Sequence, residues 1–373
     1  MNDKEMSILD LLNQFDFDLR QEKFVRTTER NEEEDMARVN WNEKAKTTLL
    51  SYAKSVSKNC PTLAQNGRNL TEMYYQGKLD PCYHRDGIII SMQKILLRKS
   101  KANVLLTGPA GCGKTAIAEG LTALLAERDI RHEAIVQQMK AEYDKAYRKW
   151  DKARDKAWEQ GEDFNEEQPA RPTYPNEPMM FNTIVFELSL TAMTAGTKYR
   201  GEFEEKIQNV IEECRKYPNI ILFIDEIHQI VSAGSSDNSD NAGQMLKPAL
   251  ARRDIRCIGA TTTEEAKYIW NDKALARRFN EVKVVPLANA QAEDTAENIL
   301  KDYCKYHGVN ASTEYVHEII EKLQIFLPQT VFPDNFINVI DETLAGARFD
   351  GLTEVDMTHF NATLSRMAGV IIV

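Results

Sequence analysis

Short apolar runs alternate with amphipathic segments through the middle of the chain, between about residues 103 and 285. The runs have the length of single strands, and their nearly continuous apolar character is typical of strands buried on both faces of a sheet. Because strands and helices alternate, we predict an α/β fold with a five-stranded, parallel, doubly wound sheet. The five predicted strands are Val104–Thr107, Thr183–Leu188, Ile220–Ile224, Ile255–Gly259 and Glu281–Val285.

The strand pattern is absent from both ends of the chain. Residues 1–60 are polar with helical spacing and carry no recognisable chemistry, so they form a helical N-terminal segment without a predicted role. Residues 61–288 hold the predicted sheet and form the large subdomain. Residues 289–373 show only amphipathic helices, which predicts a small helical subdomain. Its four predicted helices are 291–306, 312–326, 333–348 and 354–367.

A charged segment at about residues 130–180 interrupts the sheet pattern between the first two strands. It contains a proline-rich stretch, 169–178, that is expected to be extended. An apolar stripe along this segment, with charges at the other positions, predicts a protruding helix that packs on itself, on the body of the protein or on a neighbour. The alternative is that the segment is a solvated elaboration without a separate role. Acidic residues on the same helix disfavour binding to nucleic acid. A heptad-like apolar stripe is formed by Met139, Tyr143, Ala146, Trp150, Ala153 and Ala157.

A glycine-rich stretch directly follows the first predicted strand and precedes an alanine-rich helix. Glycines allow the backbone N–H groups of such a loop to point at phosphates, and the helix N-terminus adds partial positive charge. Lys114 is placed to reach the outer phosphates and contribute to catalysis, and the Thr115 hydroxyl is placed to bind Mg²⁺. The spacing therefore predicts a P-loop that binds ATP and Mg²⁺. Its residues are Gly108, Pro109, Ala110, Gly111, Cys112, Gly113, Lys114, Thr115 and Ala116.

Two carboxylates, Asp225 and Glu226, directly follow the third predicted strand. Carboxylates at the end of a buried strand are costly unless they have partners or a function. In a P-loop ATPase, Asp225 would help to hold Mg²⁺ and Glu226 would activate the attacking water. An acidic pair placed there by chance is the alternative, which the upstream phosphate loop disfavours.

Composition narrows the functional classes. The chain has 373 residues, is 42% hydrophobic and 28% charged, and has a net charge of −10. This acidic balance argues against nucleic acid as the main partner. Six cysteines without paired spacing predict no zinc site and suit a reducing compartment, so a cytoplasmic location is expected. No apolar run approaches the length of a membrane span.

Further motifs extend these signals over roughly residues 61–348. They are Gly67–Glu72, Gln76–Pro81, Ala195–Glu205, Leu246–Arg252, Cys257–Thr262 and Ala274–Phe279. Together with the phosphate loop and the acidic pair, they resemble the first ATPase module of the Clp-type AAA+ unfoldases and disaggregases (ClpA, ClpB and ClpC). The resemblance implies an AAA+ sheet with a helical small subdomain. It also implies Mg²⁺-dependent ATP hydrolysis and assembly into a homo-hexameric ring.

The resemblance assigns roles to residues outside the two motifs. Thr262 matches the polar sensor that positions the attacking water. Arg277 and Arg278 match arginine fingers, which reach the ATP of a neighbouring subunit; a solvated surface is the alternative for an isolated arginine pair. Arg85 matches the segment that lines the adenine pocket. His84 stands where the family usually has glycine, which leaves the contacts to the base open.

The pore loop of the family, which grips an extended polypeptide, is matched by Lys198, Tyr199, Arg200 and Gly201. A tyrosine supplies apolar area and a polar tip without requiring a particular sequence. A buried core position is the alternative for Tyr199, but its charged neighbours favour an exposed loop. Neither a second ATPase module nor the peptidase-docking loop has a counterpart in the sequence. The resemblance is therefore to a single-module protein, and docking to a peptidase is not predicted.

Three functional hypotheses follow. The first is a single-ring ATPase, a chaperone that unfolds, threads or remodels protein substrates through a central pore. The second is a nucleotide-gated adaptor or assembly factor in which residues 130–180 bind a partner and nothing is threaded. The third, an ATPase of DNA replication or recombination, is disfavoured by the acidic balance and by Tyr199 in place of a basic pore residue.

Overall fold

The computed structural model describes residues 32–194, 200–232, 246, 248–250 and 255–372. The first elements are α1 (Glu32–Asn59), α2 (Pro61–Asn66), β1 (Gly67–Asn69), α3 (Leu70–Tyr75), α4 (Asp86–Leu96), β2 (Asn103–Thr107) and α5 (Lys114–Gln160). The next are β3 (Ile184–Leu188), α6 (Leu190–Thr194), α7 (Arg200–Lys216), β4 (Ile220–Ile224) and α8 (Gln229–Ser232). They are followed by β5 (Arg256–Thr261), α9 (Ala266–Asn271), α10 (Lys273–Ala276) and β6 (Phe279–Lys283). The last are α11 (Asn289–His307), β7 (Asn310–Ala311), α12 (Tyr315–Phe326), α13 (Asp334–Phe349), β8 (Glu354–Val355) and α14 (Met357–Ala368).

A mostly parallel sheet carries six strands in the order β1-β3-β4-β5-β2-β6. Strand β2 pairs in parallel with both β5 and β6. Every residue of β2 and of β4 is buried, as expected for strands covered on both faces. All five predicted strands are present, with ends that differ by at most two residues. The predicted α/β fold is therefore confirmed. The additional strand, β1, has three residues and pairs antiparallel with β3, and it is too short to show an alternation in the sequence.

The described residues form two compact units. One contains the residues up to Leu79, those from Leu121 to Thr194 and those from Glu205 to Leu222, and the second contains the rest. In the second unit, α11 to α14 pack around a common core that includes Phe336 and Phe360. This is the predicted C-terminal helical subdomain. Its α11 ends at Gly308, whose left-handed backbone is a usual helix terminator.

Helix α5 is one unbroken helix of 47 residues, so the helix of the phosphate loop continues directly into the charged segment. The residues from 162 to 182 have no regular secondary structure, and we call them the return segment. We call residues 130–182 the arm. Although α5 is long, neither it nor any other helix in the described ranges is apolar enough to cross a membrane. The half-buried positions of the return segment include every third residue, as in one face of a polyproline II helix: Pro169, Pro172, Pro175 and Pro178.

The aromatic stripe of the arm packs within the arm itself. The Trp150 ring lies 5.7 Å from that of Phe164 and 5.8 Å from that of Tyr147. Its indole N–H donates a hydrogen bond of 2.9 Å to the Glu166 carbonyl. Tyr147 is half-buried and Ala146 is exposed, so the tyrosine takes the position in the stripe that we predicted for the alanine. Of the predicted alternatives, these contacts support packing of the helix on its own chain.

A buried polar cluster joins the two ends of the arm. One Asp129 carboxylate oxygen accepts a 2.8 Å hydrogen bond from the Asn182 backbone N–H. The other accepts no hydrogen bond from the described residues and lies 3.6 Å from the Arg128 guanidinium. The rings of His132 and Phe181 are 5.0 Å apart beside this cluster. Asp129 is only 1% exposed, and burial raises the pKa of its carboxyl to about 7.

Replacement of Asp129 by asparagine is expected to flatten the pH dependence of stability. Because the pKa is about 7 in the folded chain against an ordinary 3.8, the folded state holds the proton more tightly between these values. The contribution of the Asp129 proton to the free energy of unfolding is therefore complete below pH 3.8 and is lost as the pH rises through 7. Between these values the free energy of unfolding changes by at most about 1.4 kcal/mol per pH unit. Urea unfolding at pH 5 and pH 7.5 measures the difference. Exposed Asp163→Asn is the control, and an unchanged slope in Asp129→Asn would contradict the expectation.

Burial also characterises several cysteines. All six are free thiols, and Cys60, Cys112, Cys214 and Cys257 are buried. Burial raises the pKa of Cys60 to about 11 and that of Cys82 to about 12. It raises the pKa of Cys112 as well. The thiols of Cys60, Cys82 and Cys112 therefore stay protonated at neutral pH.

Candidate functional site

The phosphate loop joins β2 to α5 and belongs to the second unit. Gly111 and Gly113 have φ angles of +76° and +86°, a region that side chains rarely tolerate. A Cβ atom at Gly108 would lie 2.6 Å from the Val284 carbonyl oxygen, so a larger residue would displace the backbone there. The glycines of the predicted motif are thus required by the conformation of the loop.

Lys114 lies across the start of this loop. Its ammonium group donates hydrogen bonds to the carbonyls of Gly108, at 3.1 Å, and Pro109, at 2.8 Å. Ala110 is exposed and Ala116 is in the first turn of α5, within the predicted loop. A cation held by two weak neutral acceptors can exchange them for phosphate oxygens, which are stronger partners.

The two predicted Mg²⁺ ligands lie together. The Thr115 hydroxyl donates a 3.0 Å hydrogen bond to one Asp225 carboxylate oxygen. Adjacent corners of a Mg²⁺ octahedron with bonds of ~2.1 Å are ~3 Å apart, so these two oxygens fit neighbouring positions of one ion. The other Asp225 oxygen accepts the Glu226 backbone N–H at 2.9 Å. The donor chemistry and the spacing therefore suit Mg²⁺.

Glu226 is exposed and has a φ of +48°, which is unusual for a residue with a side chain. Strain of this kind costs of order 1–3 kcal/mol and is concentrated at functional sites. The amide of Gln229 donates a hydrogen bond to the Glu226 carboxylate and fixes its direction. Gln229 was not among the predicted site residues, although its position three residues after the glutamate offered a signal.

A second polar network surrounds Thr262, which directly follows β5. The Thr262 hydroxyl donates to Glu265 Oε2 at 2.7 Å and accepts the Glu265 backbone N–H at 3.2 Å. His228 Nδ1 lies 3.0 Å from the Thr261 hydroxyl and 3.3 Å from Glu265 Oε2. Glu265 and His228 were not predicted as site residues. The spacing Thr-x-x-Glu before a helix, a capping-box signal, could have identified Glu265.

Arg85 supports the phosphate loop from beneath. It is 7% exposed and donates hydrogen bonds to the carbonyls of Cys112, at 3.1 Å, and Val285, at 2.7 Å. Its neighbour His84 has a φ of +53°, in the left-handed region that favours glycine. His84 Nε2 lies 2.6 Å from Asp294 on α11. The segment expected to line the adenine pocket is thus joined to both the loop and the helical subdomain.

Arg277 and Arg278 lie between α10 and β6, far from the phosphate loop of their own chain. Phe279, which follows them, pairs with Asn103 at the start of β2, whereas the loop leaves the sheet after Thr107. From Asn103 to Thr107 there are four steps of ~3.3 Å along the strand. The amino end of β6, where the arginines lie, is therefore at least ~13 Å from the carboxyl end of β2, where the loop begins. Arg277 is exposed, and neither side chain has a hydrogen bond or ion pair with any part of the chain described here. The structure therefore does not bring the pair to its own phosphate loop.

The predicted pore loop is only partly described. Lys198 and Tyr199 lie outside the described residues, as does the side chain of Arg200. The backbones of Arg200 and Gly201 begin α7. Their predicted role is therefore untested by the geometry.

Two family profiles match the chain. The ATPase family associated with various cellular activities (AAA) matches residues 176–287, and the AAA lid domain matches residues 289–369. The first match begins close to the end of the arm, which separates it from the phosphate loop. The second covers α11 to α14.

Curated proteins with similar sequences include Clp proteins. The chaperone protein ClpB of Staphylococcus aureus (strain COL) is 36% identical over 309 residues, which are 81% of this chain and 30% of ClpB. The ClpA homologue of Porphyra purpurea, an ATP-binding subunit of the ATP-dependent Clp protease, is 34% identical over 302 residues, 80% of this chain and 31% of its own. The chain spans just under a third of the length of these relatives.

Solved structures of Hsp104 from Saccharomyces cerevisiae share the fold. The Hsp104–ADP complex matches with a TM-score of 0.62 at 29% identity, over 83% of this chain and 46% of Hsp104. An extended Hsp104–casein complex matches with a TM-score of 0.62 at 28% identity, over 83% and 45% of the two chains.

Proposed function

Because the chain belongs to the AAA ATPase family, as a homologue of the ClpB, ClpA and Hsp104 proteins, we propose that it hydrolyses ATP with Mg²⁺ and remodels protein substrates as a ring. The observation that carries the chemistry is the 3.0 Å contact between the Thr115 hydroxyl and the Asp225 carboxylate behind a glycine-rich loop. It supports a Mg²⁺ site beside the phosphates.

Binding uses the loop and its lysine. The backbone N–H groups of the loop and the start of α5 would surround the phosphates, and Lys114 would exchange two carbonyls for phosphate oxygens. Thr115 and Asp225 would hold Mg²⁺, which neutralises charge on the outer phosphates when bound. Arg85 keeps the loop in shape through the Cys112 carbonyl.

Hydrolysis would use residues in the two turns that follow strands β4 and β5. Glu226 would take a proton from the attacking water, and Gln229 keeps its carboxylate in one direction. Thr262 would position that water. Arg277 and Arg278 precede β6, at the end of the strands opposite to the phosphate loop. They would therefore stabilise the transition state in a neighbouring subunit rather than in their own. A closed homo-oligomer, which we take to be a hexamer, satisfies this requirement.

The proposed substrate is an extended polypeptide gripped by Lys198, Tyr199, Arg200 and Gly201 in the central pore. The casein in a solved Hsp104 complex supports a protein substrate. A nucleotide-gated adaptor or assembly factor, with no threading, is the second candidate. Binding of a partner through the arm would favour it, but the aromatic stripe already packs within the arm.

ATP-dependent unfolding of a tagged, stable fluorescent protein distinguishes the two candidates. Wild type is compared with Tyr199→Ala, which removes the gripping ring, and with Tyr199→Phe, which keeps its apolar area. We expect loss of unfolding in the alanine variant, near wild-type unfolding in the phenylalanine variant and ATP turnover in both. Wild type that hydrolyses ATP without unfolding the substrate would reject threading and leave the adaptor function.

A further inference from the structure

We propose that Glu265 and His228 are positioning residues that set the direction of the Thr262 hydroxyl, so that Thr262 can only accept a hydrogen bond from the attacking water. The inference deepens the proposed ATPase function and rests on it. Its basis is the network of short contacts at the end of β5.

Thr262 leaves the sheet beside the phosphate loop. In the parallel pair of β2 and β5, Thr107 lies opposite Thr261. Neighbouring strands are ~4.8 Å apart, and the next residues are Gly108, which begins the loop, and Thr262. The turn that holds Glu226 is also tied to β5, because the Ile227 N–H donates to the Ala260 carbonyl at 3.0 Å. Thr262 is therefore placed at the edge of the sheet that carries the phosphate loop.

The hydrogen bonds leave Thr262 one acceptor site. A threonine hydroxyl has one proton and two lone pairs. The proton goes to Glu265 Oε2 at 2.7 Å, and one lone pair accepts the Glu265 N–H at 3.2 Å. Within the described ranges no further group bonds this hydroxyl, so the second lone pair is available to a ligand. A water that donates one hydrogen there and the other to Glu226 keeps its own lone pairs free for attack on phosphorus.

Glu265 suits this role because an ionised carboxylate can only accept. The hydrogen bond from Thr262 holds the pKa of Glu265 below its ordinary value. His228 restrains the same carboxylate, since its Nδ1 lies 3.3 Å from Glu265 Oε2 and 3.0 Å from the Thr261 hydroxyl. His228 stands in the same turn as Asp225 and Glu226, so the network connects the proposed metal and base residues to the sensor.

A purely structural role would be to cap α9, and the test separates the two roles. Glu265→Gln retains the size of the side chain but removes its charge and gives it donors, so Thr262 is free to reverse its hydrogen bond. We expect kcat to fall by about 10²-fold, the effect of a misplaced reactant, while the affinity for a fluorescent ADP analogue and the KM for ATP are retained. His228→Ala should lower kcat in the same way. The double variant should lose no more than Glu265→Gln alone, because the two residues act as a unit.

The control is Asp356→Ala, which removes the N-cap of α14 in the same unit. It should shift the unfolding temperature without lowering kcat. The proposal is overturned if Glu265→Gln keeps kcat within twofold of wild type, or if its kcat loss is matched by an equal loss of nucleotide affinity. Absence of ATP turnover by the wild type would instead reject the proposed function.

Discussion

Replacement of Glu226 by glutamine is expected to lower ATP turnover by about 10²–10⁴-fold, the usual contribution of a general base. Glutamine has the shape of glutamate, and its side-chain oxygen can still accept the hydrogen bond from the Gln229 amide. The turn and the neighbouring Asp225 should therefore be preserved. ATP affinity should be retained because the loop and Lys114 are untouched.

Phosphate release and binding of a fluorescent nucleotide measure the two quantities separately. Glu264→Gln is the matched control, because this exposed carboxylate follows the nearby β5 and has no proposed role. Its turnover should equal that of wild type. If Glu226→Gln hydrolyses ATP at a rate close to wild type, Glu226 is not the base and another group activates the water.

Replacement of both Arg277 and Arg278 by alanine is expected to lower turnover by about 10³–10⁵-fold, or about 4–7 kcal/mol in the barrier. A guanidinium offers a planar set of donors to the charge that spreads over the transition state. Neither arginine belongs to the phosphate loop of its own chain, so ATP binding should persist. Lys273→Ala, in the adjoining α10, removes an exposed charge of the same sign and is the control.

Mixing experiments test whether the arginine pair acts between subunits. Neither the double arginine variant nor Glu226→Gln should turn over ATP well alone. In a mixture, an intact phosphate site can stand beside an intact arginine pair, so activity should reappear. Turnover per subunit should also fall on dilution as rings dissociate. Specific activity that stays constant down to monomeric concentrations would show that each subunit works alone.

The features that could be predicted from the sequence depend on residues that are contiguous in the chain. Buried parallel strands must be apolar throughout, which made β2 and β4 visible as runs. The loop after β2 needs glycines at positive φ and a lysine and threonine at fixed spacing, so its chemistry could be inferred directly. The contact between Thr115 and Asp225 was predictable as well, because both follow strands of one parallel sheet.

Gln229 and Glu265 were missed despite local signals, but the other features that were not predicted depend on contacts between distant parts of the chain. Asp129 and Asn182 are 53 residues apart, and nothing local announces their hydrogen bond. His228 meets Glu265 only because the turn after β4 approaches the end of β5. The sequence showed an apolar stripe on the arm, but its covering partner, Phe164, was hidden in an irregular return segment.

The burial of Cys112 has a consequence for chemical labelling. Electrophiles react with thiolates, and a buried, protonated thiol offers them little. Cys112 is 0% exposed and its pKa is raised by burial, so the sulfur in the middle of the phosphate loop is shielded. Cys60, Cys82 and Cys257 have thiol pKa values raised by the same cause. Trp158 is 87% exposed, so a Trp158→Cys variant should react with a maleimide dye long before these native thiols. Subunit exchange could then be followed with a dye on the arm and the ATP site unmodified.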